Sequence, residues 1–205
     1  MASLFDPLTV GAMELPNRLV MAPLTRNRSR GTVPGDLAVE YYAQRATAGL
    51  IITEGSQPSA RGQGYLDTPG FHSDEQLAGW RRVADAVHEK GGRIVAQLMH
   101  AGRIAHPDNT GGQEIIAPSP IAAPGEMVTA DGSKPHPEPR ELRTEEMPDV
   151  VAEFVTAARN AVDAGLDGVE VHGANGYLLH QFLSPASNQR TDEYGGSPLN
   201  RARLV

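Results

Sequence analysis

Within six residues the chain carries three side chains suited to polar chemistry: His172, Asn175 and Tyr177. An imidazole and a carboxamide can each donate a hydrogen bond to one oxygen, and a phenol with an ordinary pKa near ~10 carries a proton it can give up. They follow a short apolar run, Gly168-Val-Glu-Val171, in a turn punctuated by Gly173 and Gly176. Polar donors just beyond a buried strand are what barrels and open α/β sheets use, because their chemistry sits at the carboxyl ends of strands. Strand parity puts Val169 and Val171 on one face, packing outward on helices, and Glu170 and His172 on the other, facing the cavity. Glu170 then reads as a buried structural partner for a basic side chain.

Such a turn needs a scaffold of strands and helices behind it. Leu8-Thr-Val10 and Arg18-Leu-Val-Met21 flank the turn residues Gly11 and Pro16-Asn17, which predicts a hairpin leading into a buried strand that ends at Ala22-Pro23-Leu24-Thr25. A helix is expected from Gly35-Asp36 to Gly49, then a β-branched strand, Leu50-Ile-Ile-Thr53, closed by Glu54-Gly55-Ser56. Ser73 and Gln76 form a capping box for a helix with Leu77, Trp80, Val83, Ala84 and Val87 on one face. Strand Arg93-Ile-Val-Ala-Gln97-Leu-Met follows. Residues 101–143, with seven prolines, read as an inserted loop or hairpin subdomain. A helix over 144–164 leads into the strand before His172, and Ser197-Pro-Leu opens another helix.

Alternating strands and helices imply a parallel sheet with helical crossovers. The pattern alone leaves a doubly wound sheet open, although Gly62-Gln-Gly64, the nearest approach to a dinucleotide fingerprint, has Asp67 at the last glycine position and no strand before it. In a barrel, Pro23-Leu24-Thr25, Glu54-Gly55-Ser56, Gln97-Leu98-Met99-His100 and the His172 turn open on one rim. That set contains amides, hydroxyls and imidazoles but no carboxylate pair and no metal spacing, which suits an organic cofactor.

Composition narrows the classes further. At 205 residues, 40% hydrophobic and 21% charged, the chain can bury one sizeable core. A net charge of −7 without a basic block argues against a nucleic-acid partner, and the lack of cysteine excludes thiolate metal sites and disulfides. No signal peptide and no membrane span are expected, which gives a cytoplasmic protein.

Four motifs and the opening stretch together carry a resemblance. Asn17-Arg-Leu-Val-Met-Ala-Pro-Leu-Thr-Arg26, Glu40-Tyr-Tyr-Ala-Gln-Arg45, Thr53-Glu-Gly-Ser56, Ala96-Gln-Leu-Met-His-Ala-Gly-Arg103 and the stretch from Asp167 to Gly196 resemble the Old Yellow Enzyme family of FMN-dependent ene-reductases, in its N-ethylmaleimide and morphinone reductase branch. The resemblance implies a (β/α)8 TIM barrel, of which this chain supplies the N-terminal hairpin and about the first four β/α units as the N-terminal half of one FMN-binding domain. It implies reduction of activated alkenes, such as α,β-unsaturated carbonyl or nitro compounds, with NAD(P)H as donor. Pro23, Leu24, Thr25, Gly55, Gln97 and His172 match cofactor-binding positions. Tyr65, Met99, His172 and Asn175 match the substrate side, and Tyr177 matches the proton donor. Met99 stands where some members carry tryptophan. His100 and Arg103 are further candidates at the border of the cofactor site.

An eight-stranded barrel takes roughly 250 residues, and its phosphate site forms from loops after strands seven and eight. The expectation is therefore a chain that works with a C-terminal half-barrel or as an oligomer with itself. The alternatives are a non-catalytic half-barrel or assembly subunit, and a barrel oxidoreductase of the 2,4-dienoyl-CoA reductase type.

Overall fold

The computed structural model describes residues 3–205. In chain order the elements are β1 (Leu8–Val10), β2 (Met13–Leu15), β3 (Val20–Met21), α1 (Asp36–Ala43), β4 (Leu50–Ile52), α2 (Asp74–His88), β5 (Ile94–Leu98), β6 (Ile116–Ala117), β7 (Glu126–Thr129), β8 (Gly132–Pro135), β9 (Arg140–Glu141), α3 (Met147–Asp163), β10 (Gly168–Val171), α4 (Leu178–Leu183) and α5 (Pro198–Arg201). They form two compact units. One comprises Met1–Ser56, Asp67–Leu98 and Ala157–Glu170; the other comprises Gln57–Leu66, Met99–Thr156 and Val171–Val205.

The first unit is built on a four-stranded sheet in the order β10-β5-β4-β3, with β3 parallel to β4 and β4 parallel to β5. The β1–β2 hairpin precedes it, antiparallel as its turn residues require. Ile51 of β4 and Ile94, Ala96 and Leu98 of β5 are fully buried, and β5 is buried along its whole length with Gln97 its one polar residue, as suits a central parallel strand. Trp80 of α2 stacks on Phe71 at 5.0 Å between ring centres and gives its indole N–H to the Gly70 carbonyl at 3.1 Å. The Ser73/Gln76 capping box opens α2 as expected.

Three expectations for these elements change. The helix α1 stops at Ala43 rather than at Gly49. Past Ala43 the backbone tightens into i→i−3 turns, with Arg45 N–H on Tyr42, Ala46 on Ala43 and Ala48 on Arg45, and the Asn17 amide closes the segment ahead of β4 by donating to the Thr47 carbonyl (2.9 Å) and accepting the Gly49 N–H (2.8 Å). The strand β3 is not buried, with Val20 52% exposed, because it lies at the sheet edge. Val169 and Val171 are also exposed rather than packed under helices; β10 is the other edge of the sheet.

The second unit has its own core, in which Ile116, Leu142, Met147, Val150, Leu178 and Phe182 are buried together. Within the 101–143 insertion, β7 and β8 form the expected hairpin, while β6 pairs in parallel with β9. The buried guanidinium of Arg190 ties this unit together. It bonds Asp192, the Thr144 hydroxyl (3.2 Å) and the carbonyls of Pro118 (3.3 Å) and Leu142. The segment from Arg190 to Tyr194 is thus an ordered loop, its charge paired where an unpaired one would be costly.

Candidate active site

In the second unit the turn after β10 folds on its own polar groups. The Ala174 N–H donates to His172 Nδ1 at 3.2 Å, which places the proton of the neutral imidazole on Nε2. Asn175 adopts a left-handed conformation (φ +57°), tolerated by asparagine, and Gly176 follows at φ +84°. This reversal brings Asn175 Nδ2 to 3.5 Å from His172 Nε2. Two N–H donors at that spacing can converge on a single oxygen.

Tyr177 completes the group. Its ring stands edge-on to His172 with 5.1 Å between centres, and its hydroxyl lies 2.8 Å from that of Tyr65. Burial, together with the Tyr65 hydrogen bond, pushes the Tyr177 phenol well above the usual tyrosine range. It therefore carries its proton throughout the neutral range. Four of the expected residues, Tyr65, His172, Asn175 and Tyr177, thus form one contact group, while Met99 of the same unit is buried, 4% exposed.

A residue outside the recognised polar triplet holds this turn in place. Gln181, buried in α4, donates from Nε2 to the carbonyls of Gly176 (2.7 Å) and Ala101 (2.9 Å) and accepts the Arg103 N–H at 3.1 Å. A Cβ added at Gly102 would lie 2.3 Å from its Oε1, so glycine is required for the approach. The Gly176 N–H is taken by His180 Nδ1 (2.8 Å) and the Leu178 N–H by the His100 carbonyl (2.9 Å). Gln181 lies within the Asp167–Gly196 stretch, and its helical spacing of four from Tyr177 is the signal of it that the sequence carries.

His100 and Arg103 take structural parts. The His100 side chain is fully buried, its Nδ1 accepting the Gly102 N–H (3.1 Å), and burial with nearby Arg61 drops its pKa to about 3. Arg103 donates to the carbonyls of Ile121 (3.1 Å) and Ala122 (3.4 Å).

The first unit collects Pro23, Leu24, Thr25, Gly55 and Gln97 near the carboxyl ends of β3, β4 and β5. Leu24 and Thr25 are exposed, whereas Gly55 and Gln97 are buried. Gln97 Nε2 donates to Glu170 Oε1 at 2.6 Å, which fixes the orientation of the amide. Glu170 therefore pairs with an amide, not with the basic side chain expected of it: the neighbouring strand presents Gln97 at that position. The carboxyl of Glu54 accepts the Arg26 N–H at 2.9 Å, and its burial raises its pKa to about 7. Among the described residues no group of three or more His, Asp or Glu is placed to hold a metal ion.

The carboxyl ends of the parallel strands carry Thr25, Gly55 and Gln97 together with the carboxyls of Glu54 and Glu170, and the turn after β10 carries an imidazole, an amide and a phenol. Residues 3–205 match the model of the NADH:flavin oxidoreductase / NADH oxidase family, and the chain belongs to that family. It is 47% identical over 205 residues to 12-oxophytodienoate reductase 1 of Oryza sativa subsp. japonica, covering 98% of this chain and 53% of that protein. It is likewise 47% identical, over 208 residues, to a flavin oxidoreductase of Emericella nidulans, with the same coverage. The chain thus spans about half the length of the curated relatives it matches.

Among solved structures, it superposes on the Old Yellow Enzyme homologue from Zymomonas mobilis with a TM-score of 0.96 and 48% identity, covering 99% of this chain and 57% of the other. Morphinone reductase in complex with tetrahydroNAD gives 0.95 and 48%, covering 100% and 58%. The Old Yellow Enzyme resemblance holds, and the fold is part of that family's TIM barrel, with its N-terminal hairpin and first β/α units.

Proposed function

We propose that this chain carries the substrate-holding and proton-donating residues of an FMN-dependent ene-reductase that reduces activated alkenes, α,β-unsaturated carbonyl or nitro compounds, with NAD(P)H as donor. The observation that carries the reading is the group of His172 and Asn175 donors 3.5 Å apart beside a protonated Tyr177. The relatives' names support flavin and nicotinamide chemistry, and one neighbour binds tetrahydroNAD.

The residues of the first unit suit a flavin. The exposed Leu24 offers an apolar surface and Thr25 a hydroxyl, and the Gln97 amide is oriented by Glu170 as a donor–acceptor edge for a pyrimidine ring. Pro23, Leu24, Thr25, Gly55, Gln97 and His172 would hold FMN, which when bound would supply hydride to the β-carbon of the alkene. His172 Nε2 and Asn175 Nδ2 bind the substrate's carbonyl or nitro oxygen and stabilise the negative charge that develops there. Such a donor contributes about 2.7–4 kcal/mol to the transition state. Tyr177 O–H then gives its proton to the α-carbon, and Tyr65 and Met99 border the substrate.

Exposed apolar side chains on the outer strands, Val20, Val169 and Val171, support a second reading: the chain works against a further half-barrel or another copy of itself, or serves as a non-catalytic assembly subunit. A 2,4-dienoyl-CoA reductase-like activity is a third, carried by no separate observation. None of the described helices is long and apolar enough to cross a membrane, and we place the protein in the cytoplasm.

The test is direct. The purified chain is incubated with FMN, desalted, examined for flavin absorbance, reduced anaerobically with NADPH or NADH and reoxidised with 2-cyclohexenone. A yellow protein that bleaches and recovers supports the activity. A colourless one that turns yellow only when the second half-barrel is added overturns independent turnover, and one that never takes up flavin overturns the whole reading.

A further inference from the structure

The segment 22–29 of the first unit lies outside any helix or strand, yet it carries three of the residues assigned to the flavin. Its far end is held by the Ser29 N–H on the Asp67 carbonyl (2.9 Å), and its middle by a buried side chain beyond β4. Glu54, two residues past the end of β4 and 2% exposed, accepts the Arg26 N–H at 2.9 Å. The Tyr42 hydroxyl accepts the Glu54 N–H (2.9 Å). Arg26 is held at its other end too, its guanidinium 4.0 Å above the Tyr41 ring. A cavity of about 290 Å³ adjoins this cluster, and the charged and titratable groups that line it with Glu54 are Arg26, Arg28, Glu40, Tyr41 and Tyr42, of which Arg26 and Tyr42 act on the Glu54 carboxyl.

We propose that Glu54 is a positioning residue: its carboxylate, by gripping the Arg26 N–H, sets Pro23, Leu24 and Thr25 in their place at the sheet's carboxyl end. The proposal deepens the flavin reading and rests on it for its purpose. A glutamine could accept the same N–H without burying a charge. A carboxylate here costs stability, because desolvation is the main influence on Glu54 and raises its pKa. What it adds is strength, since a hydrogen bond to a charged acceptor is stronger than one to a neutral group. A group that destabilises the fold while fixing one functional segment behaves as a site residue, not as a framework residue.

The test compares wild type, Glu54→Gln and Glu54→Ala by amide hydrogen exchange at pH 6 and pH 8, corrected for intrinsic rates. At pH 8, Glu54→Ala is expected to lower protection of peptides spanning 22–28 by about 10- to 100-fold, with peptides of α2 unchanged. Wild-type protection should fall from pH 8 to pH 6 as Glu54 takes up a proton, while Glu54→Gln shows no such fall and melts higher than wild type at pH 8. Unchanged protection in 22–28 across the three proteins would overturn the proposal. If Glu54→Ala does not fold, the wild-type and Glu54→Gln pair decides: the same pH dependence in both overturns it. Added FMN should protect 22–28 further in wild type. FMN that protects nothing in wild type sinks the flavin reading alone, while the Glu54–Arg26 tie is still decided by the exchange without ligand.

Discussion

The loops that follow β3 and β10 hold their functional side chains by opposite means. Residues 22–29, after β3, have no regular structure, and Leu24 and Thr25 are exposed; a buried carboxylate 28 residues away grips the Arg26 N–H. Residues 172–177, after β10, are folded by neutral hydrogen bonds, from the Ala174 N–H to His172 and from Gln181 to the Gly176 carbonyl. The difference teaches where each is sensitive. The first loop responds to pH, because its tie is a titrating group; the second responds to the loss of Gln181, because buried or half-buried groups are then left without a partner, whereas the Ala174–His172 bond lies exposed.

The largest effect should come from the second loop. Tyr177→Phe removes the phenol proton that the proposed reaction delivers to carbon. It is expected to slow flavin reoxidation by an alkene about 10²- to 10⁴-fold, measured by stopped flow on the FMN-loaded protein, with reduction by NADPH unchanged. An equal slowing of both half-reactions would show that the phenol shapes the site instead. Next is Gln181→Leu, which leaves the Gly176 and Ala101 carbonyls and the Arg103 N–H without their buried partner. A loss of about 2–5 kcal/mol in urea unfolding is expected.

The first loop gives a pH effect of opposite character. The pKa of Glu54 is raised from 4.5 to about 7 in the folded chain, so the folded state favours the protonated acid. Its contribution to stability is fully present below the unfolded pKa of 4.5 and is lost as pH rises through about 7. The stability of Glu54→Gln relative to wild type should therefore rise between pH 4.5 and pH 8, by an order-of-magnitude 3 kcal/mol for a shift of this size. A flat difference would mean that Glu54 ionises as freely in the fold as outside it.

The same contrast decides what could be read from the sequence. The His172–Tyr177 turn is local: its glycines, its strand and its three polar residues are adjacent, so the spacing already announced the group. The capping box at Ser73 and the alternation of strands and helices were legible for the same reason. The Glu54 tie to Arg26, the Glu170 pairing with Gln97 73 residues earlier, and the Gln181 bond to Ala101 80 residues earlier depend on strand order, which no local pattern encodes. Strand order also explains the exposed valines: parity gave the face of Val169 and Val171 but not that β10 lies at an edge. The Asn17 bond that closes the turns before β4 belongs here too, since helix propensity says nothing of a side chain 30 residues upstream that captures the Thr47 carbonyl.

The smallest effect tests the comparison within the second loop itself. Tyr65 is the one partner of the group that comes from a different segment, and its hydroxyl lies 2.8 Å from that of Tyr177. Its own position is fixed from behind: Asn109 donates to the Gly64 carbonyl at 3.0 Å, and Gln63 to the Tyr65 carbonyl at 3.1 Å. Tyr65→Phe keeps the ring, which meets Tyr177 edge-on, and removes only the hydroxyl. The cost in stability should be about 0.5–1.5 kcal/mol, that of one neutral hydrogen bond. Because that bond helps hold the Tyr177 phenol above its usual range, its removal should lower the Tyr177 pKa, readable by ultraviolet titration against a Tyr177→Phe control. Burial remains the larger influence, so the phenol should still be protonated at neutral pH and proton transfer should survive. A Tyr65→Phe variant as slow in reoxidation as Tyr177→Phe would show that the loop does not stand on its own local bonds, and that the proton reaches carbon only through the pair.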